Sequence, residues 1–202
     1  MDTICRDGPL WNTSLTWGPN NTWPQFTECF QNTLLVWIPS TWLWVASPFY
    51  FIHLISKENS STKCFTWKYI TKQIIALILL IICIVEILIE DSNLNTSSEE
   101  NSLVHEALLG PLIEGLTLVL TFVCTELARR KGVISTGVLF LYWTITTLIQ
   151  IIPFYSKMML QEYHEYPIKV TLFFVSCCLT FGQVFLHSFA DHQLLCDKEI
   201  LK

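Results

Sequence analysis

The sequence predicts an all-α integral membrane protein, a bundle of five transmembrane helices with its N-terminus outside and its C-terminus in the cytosol. Three observations carry that expectation. The chain is 51% hydrophobic and 14% charged, whereas soluble chains hold about 25% charged residues. Its charges fall in short segments that separate five apolar runs, each near the ~20 residues a bilayer crossing needs. Lysine and arginine divide unequally between alternate loops, which sets the orientation.

Residues 1–32 form the outer tail. The start, MDTICRDGPLWNTSLTW, has neither a basic stretch nor an apolar one, so no cleavable signal peptide is expected. Asn12 and Asn20 begin glycosylation sequons there, and Asn95 begins another in an outer loop. The sequon at Asn59 falls in a cytosolic loop and reads as chance. Cys5 and Cys29 share the oxidising side; they either pair or stay free, and pairing is expected because little else would order the tail.

The bundle occupies 33–190, with spans at about 33–55, 70–89, 103–127, 133–153 and 168–189. Each must be helical, since in hydrocarbon only a helix or a closed barrel satisfies its own amides. The run 74–89 lacks the alternation of a barrel strand. Pro39 and Pro48 should bend the first span. Trp37, Trp67, Tyr69, Tyr142, Trp143, Tyr155 and Tyr166 fall near span ends, as interfacial rings do, while Trp42 and Trp44 should pack on a neighbour. The short loop 129–132 should make the third and fourth spans antiparallel neighbours.

The basic residues choose the side. Lys57, Lys63 and Lys68 follow the first span, with Lys72 just inside the second; Arg129, Arg130 and Lys131 follow the third; Lys198 and Lys202 lie in the tail 191–202, read as the start of a cytosolic linker. The opposite side holds only Arg6, Lys157 and Lys169. That bias places the loops after the first and third spans in the cytosol.

Glu86 and Glu114 are the acids well inside spans. Such a carboxylate is a functional-site hypothesis by default. The plainer reading, favoured here, places both near the outer interface and reaching for water, Glu86 toward Glu90 and Asp91. His187, Asp191 and His192 come nearest to metal-ligand spacing but read as a polar cap. The eight cysteines include no C-x-x-C pair. With a net charge of −5 and no basic aromatic tract, nucleic acid is not an expected partner. Neither a phosphate-cradling G-x-x-x-x-G-K nor a G-x-S-x-G elbow occurs, so no catalytic residue, cofactor or metal is assigned to the chain. An intramembrane enzyme using Glu86 or Glu114 is the weakest of the readings.

Two stretches make the resemblance specific. Residues 26–55, FTECFQNTLLVWIPSTWLWVASPFYFIHLI, join an outer cysteine to a Pro- and Trp-rich helix; residues 126–143, ELARRKGVISTGVLFLYW, hold a basic turn between helices. Both resemble the N-terminal domain of multidrug resistance-associated proteins, in subfamily C of the ABC transporters, and the opening WNTSLTWGPNNTW is similar to that family's glycosylated tail. The resemblance implies a five-helix bundle preceding an ATP-driven core, with ATP and magnesium used by the parent protein. Family members export organic anions, including glutathione, glucuronide and sulfate conjugates. It further implies a role in trafficking, membrane retention or partner contact, most simply at the plasma membrane. In the sulfonylurea-receptor branch the bundle docks onto a potassium channel. A Cys5–Cys29 disulfide and glycans on Asn12 and Asn20 are implied too. Lys202 is expected about where the cytosolic linker would begin. Membrane lipid and the core of the same parent are then the expected partners. The alternative is a stand-alone membrane module that docks another membrane protein without transporting.

Overall fold

The computed structural model describes residues 11, 16, 26–56, 67–96, 103–133, 137–159 and 167–189. Among them a short helix, α1 (Glu28–Asn32), leads into five long ones. These are α2 (Leu34–Ser56), α3 (Trp67–Thr96), α4 (Leu103–Arg130), α5 (Gly137–Met159) and α6 (Pro167–Ser188). All five long helices are long and apolar enough to cross a membrane.

Each α2–α6 helix packs on two others, so the five close into a ring in the order α2, α4, α3, α6, α5 and back to α2. Cross-helix bonds give the directions. Between α3 and α4, Tyr69 Oη donates to Glu126 Oε2 at 2.5 Å, and Cys83 Sγ to the Pro111 carbonyl at 2.9 Å. Residue numbers rise on one helix as they fall on the other, so the pair is antiparallel. Thr180 with Gln150, and Phe154 against Phe174, set α5 against α6 in the same way. On α2 and α4, Trp44 Nε1 donates to Thr117 Oγ1 at 3.0 Å.

The ring corrects the expected neighbours. α4 and α5 are joined by the short turn but are not one of its packed pairs; α2 lies between them. A tight turn holds two helix ends together and leaves their bodies free to diverge. That turn is built on Gly132, whose φ of 67° closes α4: Gly132 N–H donates to Arg129 O and Val133 N–H to Ala128 O. The two bonds form a Schellman cap, which needs a residue at home in the left-handed region.

Other expectations shift as well. α5 runs through Pro153 to Met159, although the span was expected to end at that proline, and α3 continues to Thr96 rather than stopping near 89. In a bundle, hydroxyls and neighbouring helices satisfy the carbonyls that a proline frees. In α2, Ser47 Oγ donates to the Trp44 carbonyl, the one deprived of a donor by Pro48. Tyr142 and Trp143 are not interfacial: both are buried in the core with Leu43, Leu118, Cys124 and Leu139. Trp44 reaches its neighbour as expected, but its ring and that of Trp42 face mainly outward.

Candidate functional site

Polar groups collect in two places, one toward each end of the ring. At one end lie the start of α3, the end of α4 and the end of α6. Glu126 accepts there from Tyr69, from Arg129 at 2.7 Å and from Arg130 at 2.8 Å, and the Arg129 guanidinium also lies 5.3 Å from the Tyr69 ring centre. Two of these partners come from the same helix one turn on, where side chains three and four apart meet. Lys68 lies 5.8 Å from the Phe189 ring centre, and Lys131 stands in the turn before Gly132. Lys72 and His187 are buried close to each other, and Gln183 Nε2 donates to the Lys72 carbonyl at 2.7 Å. His187 is therefore an interior group rather than an exposed cap. Lys57, Lys63, Asp191 and His192 fall outside the described residues.

In the opposite half, Glu86 and Glu114 belong to a larger constellation. Lys169 on α6 pairs with Glu90 on α3 at 2.5 Å, and Glu86, one turn from Glu90, interacts electrostatically with Glu114, Lys157, Glu90 and Lys169. The field of Glu114 also reaches Cys83, Tyr142 and Cys177, so this carboxylate on α4 bears on α3, α5 and α6 together. The expectation that both acids simply reach out near a helix end is too local. Glu86 lies ten residues before the end of α3 and Glu114 eleven after the start of α4. Sequence reading passed over Lys157 and Lys169 because each sits near the end of its own span; only the helix order sets them opposite the acids. The available signal was weak: two basic residues on a side otherwise poor in them.

One ion pair, Lys169–Glu90, crosses from α6 to α3 here, with Glu86, Glu114 and Lys157 near it. Among the described residues no cluster of histidine, cysteine and acid is suited to hold a metal.

At the same end α1 is capped by Thr27, whose Oγ1 accepts from Phe30 N–H, and Gln31 reaches Ser156 on α5. Trp11 packs edge-on to Phe26 and Phe30, which stack on each other. Cys29 is disulfide-bonded. Cys5, Asn12 and Asn20 fall outside the described residues, so the Cys5 pairing and both glycans stay expectations.

The outward surfaces of two helices differ. α2 exposes Trp37, Trp42, Trp44 and Phe49 among aliphatic side chains such as Val45, Ile52 and Ile55, whereas α3 beyond Trp67 exposes Ile74, Leu77, Ile81 and Leu88. Branched aliphatic side chains suit contact with acyl chains; indole rings suit interfaces that offer polar partners.

A family model described as the ABC transporter TMD0 domain matches residues 9–176. The human ATP-binding cassette sub-family C member 3 is 28% identical over 204 residues, covering 95% of this chain and 13% of that protein. The rat sub-family C member 3 is 30% identical over 214 residues, covering all of this chain and again 13% of the relative. The mouse sub-family C member 2 is 25% identical over 196 residues, 95% of this chain and 12% of the relative. The chain thus spans about an eighth of the length of these curated relatives.

Proposed function

The chain belongs to the ABC transporter TMD0 domain family, and on that premise we propose that it is the accessory membrane domain of an ATP-driven exporter of organic anions and xenobiotic conjugates. It is a multi-pass membrane protein of five apolar helices. Its role in this reading is trafficking, membrane retention or partner contact. Transport and ATP hydrolysis, with ATP and magnesium, then belong to a core outside these residues. The carrying observation is the family match over most of the chain, joined to similarity with sub-family C proteins about eight times as long. Within the accessory roles, the tryptophans that α2 exposes among its aliphatic side chains support partner contact over inert anchoring. In the same reading the tail is outside, glycosylated at Asn12 and Asn20 and tied by Cys5–Cys29; the basic end faces the cytosol, and the plasma membrane is the site of action.

The size of the native protein tests this. Source membranes are blotted with an antibody against residues 1–30. A band several times heavier than 23.4 kDa that stays heavy after deglycosylation supports the accessory-domain reading. A deglycosylated band near 23.4 kDa overturns it in favour of a module acting alone.

A further inference from the structure

Three buried polar atoms lack a hydrogen-bond partner among the described residues: the Tyr50 hydroxyl and the amide oxygens of Gln73 and Gln183. They are not scattered. Tyr50 lies six residues before the end of α2, Gln73 six after the start of α3, and Gln183 five before the end of α6. All three helix ends belong to the basic end of the ring. At about 1.5 Å per residue, the three residues share one level, about 7.5–9 Å inward. The other two helices meet them there. Cys124, an electrostatic neighbour of Tyr50, lies six residues before the end of α4, and the buried Trp143 six after the start of α5.

The orphaned oxygens cannot be cured by turning the amides over. Gln183 already gives its N–H to the Lys72 carbonyl, and the flipped amide would set oxygen against oxygen. Gln73 gives its N–H to Tyr69 Oη, whose own proton goes to Glu126. Both glutamines therefore present an acceptor, and Tyr50 presents a hydroxyl able to give or take. Buried Lys72 and His187 beside this level disfavour a cation there. A neutral molecule with two O–H donors and a lone pair fits all three groups, and buried waters make about three hydrogen bonds each.

We infer that the ring encloses a buried water site at this level, held by Tyr50, Gln73 and Gln183. It gives the basic half of the bundle a small polar core, whereas the Lys169–Glu90 pair crosses between helices in the opposite half.

Radiolytic hydroxyl footprinting of the full chain in lipid nanodiscs tests the site, because bound water generates radicals beside it. Tyr50 should be modified several-fold faster than Tyr142, which is at least as buried and whose hydroxyl is not among the unpartnered atoms. Equal rates would overturn the proposal, and this comparison needs no variant. Gln183→Leu with Gln73→Leu should bring the Tyr50 rate down to that of Tyr142; an unchanged rate in a folded variant would overturn the part given to the glutamines. If circular dichroism shows that pair to be unfolded, Gln183→Met alone replaces it with the same two outcomes.

Discussion

At the basic end Glu126 meets Arg129 and Arg130 within one helix, three and four residues away. In the opposite half Glu90 meets Lys169 from another helix, 79 residues distant, with Glu86, Glu114 and Lys157 close by. The ion pairs of the first are local to α4, and Tyr69 of α3 joins them across one helix pair. The second exists only when α3, α4, α5 and α6 are all in place. A charge cluster centred on one helix joins a single neighbour; a cluster drawn from four can fasten the bundle.

That contrast can be broken by exchange of charge. Lys169→Glu sets a fourth carboxylate among three, and should cost about 2 kcal/mol or more of stability, since leaving charges unpaired in a partly buried site is penalised heavily. Thermal unfolding in nanodiscs measures it, and Glu90→Lys in the same chain should recover part of the loss. If Lys169→Glu left the transition unchanged, the fastening role would be lost.

Glu126→Gln should cost less, about 1 kcal/mol, because the amide keeps an acceptor for Tyr69 and Arg129 and only the charge is lost. A loss as large as that of Lys169→Glu in the same thermal measurement would refute the comparison.

Gly132→Ala probes the turn beside the basic cluster without touching a charge. With φ at 67°, alanine should cost about 1 kcal/mol, through strain in the cap. A neutral result would mean that the turn relaxes freely and does not hold Arg129 and Arg130 in place.

The smallest effect on stability sharpens the comparison by saying which end is which. Asn12→Gln with Asn20→Gln should leave the unfolding transition alone and remove a glycosidase-sensitive shift on gels. Absence of that shift in the parent chain would put the acidic half on the cytosolic side.

Much of the fold was legible before the structure. Five apolar runs, each too long for a soluble core strand, announced five helices, and most ends fall within four residues of the expected positions. The misses share a cause. The fourth span is drawn only to 153 on the sequence, whereas α5 runs through Pro153 to Met159, because a bundle satisfies the carbonyl that a proline frees. Tyr142 and Trp143 were read as interfacial from their distance to a span end, yet α5 turns both inward. Of the candidate residues, Glu86 and Glu114 were found by their type, but their lysine partners were not. An acid in an apolar run is a local signal, whereas a pairing across 79 residues is not.

Apolar length and the spacing of charges by themselves determined that this chain crosses a membrane as helices, because backbone amides in hydrocarbon leave no other choice. The order of those helices around the ring was decided only in three dimensions. Five apolar cylinders have no hydrophobic preference for one neighbour over another in lipid. Close packing, the Trp44–Thr117 bond, the Gln183–Lys72 bond and the Lys169–Glu90 pair make that choice, and each joins residues far apart in the chain.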